Sequence, residues 1–287
     1  MSNTFLTADL IAKEALIRLR NVLVMRNLVH TDYSNEFKSY GDTVQIKVPA
    51  VFEAKEYGED GIEPQAVTED KVLVKLDKIA DVSVEVTAKE MTLNIQDFGL
   101  QIVQGAMEAI AQKIDADIMG LADDIEQASG SDGFAPATLA DLAAGRKLLV
   151  EAKAPLANRR GVFSPAAAAN LLQLDVISKA DAAGRTDGLR EANMGRILGL
   201  DLYESQNATR SMLFHRDAFA FVSRPMALPI GGATGAVEDF EGIAIRVTAD
   251  YEMTSKQNVM SFDVLYGVKT LRKDLAVIVH GKDPESE

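Results

Sequence analysis

Carboxylates are the residues with the most chemistry to offer in this chain. Asp115, Asp117, Gly120, Asp123 and Glu126 fall at positions 1, 3, 6, 9 and 12 of a calcium-loop spacing. Position 5 is Met119, which has no oxygen ligand to give. An apolar repeat at Ile114, Ile118, Leu121 and Ile125 also runs straight through the motif, whereas a calcium loop has to interrupt a helix. The stretch is therefore expected to be helical, with Asp115, Asp117, Asp123 and Asp124 on a solvated face. Gly231-Gly-Ala-Thr-Gly235 has the outline of a phosphate loop. It lacks the Lys-Ser/Thr that follows such a loop, and acidic Glu238 to Glu241 come next. A plain loop is the expectation there.

Nucleophilic catalysis has little raw material. There is no Cys, and the three imidazoles, His30, His215 and His280, are far apart. His215 lies in the strand-like MLFHRDAFAFV and is expected to be structural. Neither a Gly-x-Ser-x-Gly elbow nor a His-Glu-x-x-His pair occurs. Asp and Glu are abundant enough for a two-carboxylate hydrolase, but the chain has no Trp to build a sugar platform. No cofactor or metal is called for, and the chain is not expected to be an enzyme.

The elements around these residues are more informative. Ile95, Phe98, Ile102, Ala106, Ile110, Ile114, Ile118, Leu121 and Ile125 recur at steps of three and four. They predict one amphipathic helix of about 33 residues within the stretch Thr92 to Ala128, about 50 Å long at 1.5 Å per residue, with Ile102, Ile110, Ile114 and Ile118 in its core stripe. A strut of that length suits something larger than a compact globule. An N-terminal helix is expected from Thr7 to Val29. Val44, Ile46 and Val48 alternate with polar residues, and so do Val72, Val74 and Leu76, followed by Val82, Val84 and Val86. Between the first two runs lies an acidic insertion with Glu53, Glu56, Glu59, Asp60 and Glu63 and the single base Lys55. The pattern predicts an extended hairpin, whose acidic insertion is either a solvated loop or a projecting arm that contacts another subunit, with Arg159 and Arg160 either surface charges or ion-pair partners for it.

Ser129 to Gly133 marks a break. Beyond it, Thr138–Ala152 is expected to be a helix capped by Thr138 and Asp141, Gly161–Phe163 a short strand, and Ser164-Pro165 the start of a further helix. Asp175–Asn193 is expected to be an ordered loop with a helical turn, Arg196–Tyr203 and Ser211–Val222 strands, and Pro225–Gly242 a loop. The chain ends in strands around Ile243–Val247, Met260–Val264 and Leu275–Val279. The class is α+β, with two β-rich flanks that are expected to pair around a central region.

Composition narrows the partners. A net charge of -13 argues against a general nucleic-acid binder, and no apolar run reaches the ~18 residues of a membrane span. The expected compartment is the cytoplasm.

Taken in order, GDTVQIKVPA, the acidic insertion, DKIADVSVEVTAKE, AIAQKIDADIMG, RILGLDLYESQN and VLYGVKTLRKDLAVIVHG resemble the major capsid proteins of tailed bacteriophages. The resemblance is to the Hong Kong 97-type fold, in its P-22-like coat protein branch, over nearly the whole length. It implies an N-terminal arm at 1–42 and an extended loop with its strands at 43–90. It also implies a peripheral domain with a spine helix at 91–133 and 243–287, and an inserted axial domain at 134–242. It further implies self-assembly through hexamers and pentamers into an icosahedral head in the host bacterial cytoplasm. A separate scaffolding protein, a portal protein and, as an optional partner, a decoration protein would take part. Double-stranded DNA would be enclosed without specific binding, and no membrane would be involved. An encapsulin-like compartment shell is the alternative use of this fold. A calcium-binding protein or carboxylate-dependent hydrolase is the alternative of another class.

Overall fold

The structure is a computed structural model and describes residues 8–31, 43–48, 70–87, 98–174, 194–230, 234–240, 242–253 and 257–281. Helix α1 spans Ala8–Val22 and buries Ala12, Ala15, Leu16 and Leu19. It stops earlier than its sequence pattern suggests. The amides of Val24 and Met25, which a longer helix would use in its own ladder, donate instead to Asp115 at 3.0 and 3.1 Å. Met25–Leu28 then forms a 3-10 turn.

Strands β1 (Thr43–Val48) and β2 (Asp70–Lys75) pair antiparallel, Thr43 opposite Lys75 and Val48 opposite Asp70. Val44, Ile46, Val74 and Leu76 point to one side and pack against Ala220 and Val222. Residues 49–69 join these two strands and lie outside the described residues.

A five-stranded sheet is centred on β12 (Gln257–Thr270). One side of β12 takes β3 (Lys78–Thr87), with Phe262 opposite Val82. The other side takes β11 (Ile243–Glu252), followed outward by β10 (Thr234–Phe240). The far end of β12 pairs with β9 (Phe219–Arg224). The two β-rich flanks thus pair through β3 and β12. Helices α1 and α2 (Phe98–Met119) contact this sheet and each other. Tyr266, Phe262, Ile110 and Ile114 are among the largest fully buried side chains.

A six-stranded sheet runs in the order β4 (Ala128–Ser129), β13 (Ala276–Val279), β8 (Ser211–His215), β5 (Arg159–Phe163), β7 (Leu200–Glu204), β6 (Arg196–Ile197). Helix α3 (Leu139–Glu151) contacts β13, β4 and β8, and α4 (Pro165–Leu172) contacts β5. Thr138 Oγ1 accepts from the Asp141 amide at 3.3 Å, and Asp141 Oδ2 accepts from the Thr138 amide at 2.9 Å. Thr138→Ala is expected to cost about 1 kcal/mol, read as a lower denaturant midpoint with an unchanged m-value.

Four further expectations need correction. The long helix is shorter than 92–128. It ends at Met119, continues as a 3-10 turn at Gly120–Asp124, and is extended by Ile125. Its expected start before Phe98 lies outside the described residues. Arg196–Tyr203 is a tight hairpin of β6 and β7 rather than one strand, because Leu198 and Gly199 both take positive φ, 52° and 79°. Ser211–Val222 is two strands in different sheets, split by a 3-10 turn at Arg216–Ala218. Pro225–Gly242 is not all loop. Residues Thr234–Phe240 form β10, whose sparse apolar residues leave no clear alternation to read and whose ladder to β11 holds it in place. The two sheets are not contiguous along the chain. Strands β9 and β10 lie between 134 and 242 yet belong with β11 and β12, while β13 belongs with β8. The expected loop at Asp175–Asn193 lies outside the described residues.

The chain passes between the two sheets at three places, and each passage contains a 3-10 turn: Gly120–Asp124, Arg216–Ala218 and Lys273–Leu275. Thr270 Oγ1 donates to Asp124 at 2.6 Å, and the amides of Leu271 and Arg272 donate to the Ala218 carbonyl at 2.8 and 3.2 Å. The three passages are thereby fastened into one joint.

Candidate assembly surfaces

The carboxylates of the calcium-like motif are employed inside the subunit. Asp115 is 4% exposed and lies against residues 24–26, not on a solvated face. Burial is the main influence on it and pushes its carboxyl up to about 6, against amide donation from Val24, Met25 and Arg26. The bound proton is favoured in the folded chain. This group's contribution to stability is therefore fully present below its unfolded pKa near 3.8 and is lost as pH rises through about 6. The loss is on the order of 3 kcal/mol. Asp115→Asn should remove that component, so that the variant loses less stability than the parent between pH 4 and pH 7 in urea titrations. An identical pH slope in both would contradict it.

Asp117 accepts from Tyr266 Oη at 2.6 Å and from Lys113 at 3.0 Å, and pairs with Lys78 at 3.3 Å. Burial raises its carboxyl, but these three partners together hold it below its ordinary value. Burial and then Asp117 push the Tyr266 hydroxyl up, so it stays a donor. Asp124 accepts from Thr270, and exposed Asp123 pairs with Arg210 at 3.1 Å. These side chains hold α2 to β3 and β12 and fix the turn that follows it. Among the described residues no group of three or more His, Asp or Glu is placed to hold a metal ion.

His215 is buried in β8, and its Nδ1 accepts from the Asp217 amide at 3.2 Å. Burial lowers its pKa, with Asp217 opposing, which suits a neutral structural imidazole. His30 Nδ1 lies 3.0 Å from Asp217 Oδ1.

The residues expected at subunit contacts fall into three groups. Glu53, Lys55, Glu56, Glu59, Asp60 and Glu63 lie outside the described residues. Arg159 is a correction. It is 3% exposed, and its guanidinium donates to the carbonyls of Pro155 (2.7 Å) and Ala154 after α3, so it serves its own fold and not an acidic neighbour. Arg160 donates to the Asn27 carbonyl at 3.0 Å. In α2, Ile110, Ile114 and Ile118 are buried and Ile102 is partly buried at the edge of the core.

Surfaces that the sequence pattern did not single out are apolar and exposed. On the hairpin and its continuation, Leu73 and Ile79 are 54% and 53% exposed. The run Val72-Leu73-Val74 carries apolar residues on both strand faces, a signal of a second buried face that an alternation search passes over. On the five-stranded sheet, Tyr251 lies near the end of β11 and Met253 follows it, while Leu228 and Ile230 precede β10, with Ile230 fully exposed. Exposed apolar residues gathered in this way mark surfaces that meet another protein. No helix among the described residues is long and apolar enough to cross a membrane.

The arrangement offers broad surfaces, an outlying hairpin and a fastened two-sheet body. Comparison with solved structures finds the same fold in phage shells. The chain matches a Mycobacterium phage Che8 structure at 22% identity and TM-score 0.67, covering 89% of this chain and 90% of that one. It matches the capsid of Ralstonia phage GP4 at 13% identity and TM-score 0.58, covering 91% and 89%. A virus-like particle from Pyrococcus furiosus matches at 11% identity and TM-score 0.57, covering 94% and 97%. No curated protein matches the chain. The sequence model described as phage capsid protein matches residues 69–278, the greater part of the length. The chain therefore belongs to the phage capsid protein family.

Proposed function

We propose that this capsid subunit repeats as hexamers and pentamers to close an icosahedral head around double-stranded DNA, within the host bacterial cytoplasm. The family match over residues 69–278 carries the reading. The exposed apolar residues Leu73, Ile79, Ile230 and Met253 support it as surfaces for neighbouring copies. In this reading the five-stranded sheet with α1 and α2 is the peripheral domain and the six-stranded sheet with α3 and α4 is the axial domain. Glu53, Lys55, Glu56, Glu59, Asp60 and Glu63 are the residues offered to a neighbouring copy. Closed shells reuse a few interfaces many times, so broad surfaces serve them better than a cleft. The net charge of -13 keeps the subunit from binding the enclosed phosphates. A separate scaffolding protein and a portal protein complete the assembly, with a decoration protein as an optional addition.

The test is electron microscopy of the chain expressed alone and together with a candidate scaffolding protein. Closed shells are the expected result. Small monodisperse species under every condition count against the reading. The contents of the shells, nucleic acid or protein cargo, separate a phage head from a compartment shell.

A further inference from the structure

Residues 24–30 run beside the joint between the two sheets and are fastened to α2, to a strand of each sheet and to the Arg216–Ala218 passage. On the spine, Asp115 of α2 takes the amides of Val24 and Met25 at 3.0 and 3.1 Å. On the six-stranded sheet, Arg160 Nη1 at the start of β5 donates to the Asn27 carbonyl at 3.0 Å. On the five-stranded sheet, the His30 amide donates to the Phe219 carbonyl at 3.0 Å, and the Phe221 amide donates to the His30 carbonyl at 3.1 Å. The His30 ring meets Asp217, which sits in the 3-10 passage between β8 and β9. Met25, Leu28 and Val29 are buried beneath these contacts.

The passages themselves are weak points. A 3-10 turn has poorer hydrogen-bond geometry than an α-helix and is common as a short connector. Among the described residues no α-helix spans the joint. We propose that residues 24–30 are a brace that fixes the angle between the two sheets, and that releasing it lets one sheet swing on the other. The inference rests on the shell reading for its consequence: in a shell subunit this angle sets local curvature. The fastenings are of two kinds. Apolar burial holds the brace in place generally, while a few hydrogen bonds to Arg160, Asp115 and Asp217 decide its exact seat. Those bonds can be given up one at a time without emptying the core.

The test uses the full chain carrying Arg160→Ala, Asp217→Asn, and both together, compared with the parent. Hydrogen exchange of the amides at 24–30 is expected to quicken by about tenfold or more in the double variant, with α2 amides from 106 to 118 unchanged. Shells assembled from it should spread in diameter where the parent gives one size. Unchanged exchange at 24–30 overturns the proposal, and so does a single parental diameter despite fast exchange there. If the double variant unfolds, Arg160→Ala alone carries the same comparison, since it removes one hydrogen bond from a partly exposed side chain. If the parent itself forms no shells, the shell reading has failed on its own. The brace is then judged by small-angle scattering of the subunit. An enlarged radius of gyration in the variant supports it, and an unchanged one overturns it.

Discussion

Ile110→Asp is expected to leave no assembled particles, because the subunit itself no longer folds. Ile110 is 1% exposed in the middle of α2, among Met107, Ala111 and Ile114, which are equally buried. Removing the side chain would already cost about 2–5 kcal/mol in a core that relaxes only partly. The carboxylate adds the penalty of burying a charge with no partner, on the order of several kcal/mol even after it takes up a proton. A natural domain is stable by only about 5–15 kcal/mol, so the sum reaches or exceeds the margin. Circular dichroism and the yield of sedimenting particles report the loss. Ile110→Val, which keeps the volume within one methyl, should cost about 0.5–1.5 kcal/mol and still assemble. Particles of normal yield from Ile110→Asp would show that α2 does not bury this face.

The second large effect is expected at a residue with no side chain. Gly267 lies in β12 where β2 crosses close above it. A Cβ there would sit 2.2 Å from the Lys75 carbonyl oxygen and 3.3 Å from Val74 Cγ1. The first distance is far inside van der Waals contact, and the obstacle is backbone, which cannot rotate away. Gly267→Ala therefore has to push the base of the hairpin off its seat. Overpacking of this kind costs about 1–3 kcal/mol, too little to unfold the chain but enough to detach Val44, Ile46 and Val74 from Ala220 and Val222. Hydrogen exchange should quicken across β1 and β2 and stay slow in β13. Assembly should fail or give irregular shells although the monomer melts as a folded protein. Normal shells from Gly267→Ala would mean that the hairpin has room to spare.

The two predictions differ in what made them visible. Ile110 is legible in the sequence because a helix repeats its contacts every three or four residues, so a local pattern reports a tertiary face. The same holds for Val44 and Ile46 in β1, and for Thr138 with Asp141 at the start of α3. Gly267 is not legible. Its reason is a strand far away in the chain, and a glycine inside a strand pattern looks only like a weak point. Asp115 misled for a related cause. Its neighbours Asp117 and Asp123 made it look like part of a charged face, whereas its partners are backbone amides at 24–26, which carry no side-chain signal at all. Arg159 looked like a surface charge beside Arg160, although successive residues of a strand point to opposite sides and only one of the pair can face inward. Strand β13 was placed with its neighbours in sequence, and the 3-10 turn at Lys273–Leu275 that sends it into the other sheet has no composition of its own. Local periodicity survives in a sequence read alone, while anything decided by which distant segments meet does not.

The threefold passage of the chain between its sheets bears on how the protein is made on a ribosome. Strand β3 is made well before its partner β12, and β13, which completes the ladder between β4 and β8, follows β12. Neither sheet is complete until β12 and β13 have been made, and both therefore wait for the same stretch of polypeptide. A truncated product lacks the central strand of one sheet and an interior strand of the other, so it has no half that is finished. A chain cut short before β12 therefore has neither sheet complete to present to a neighbouring copy.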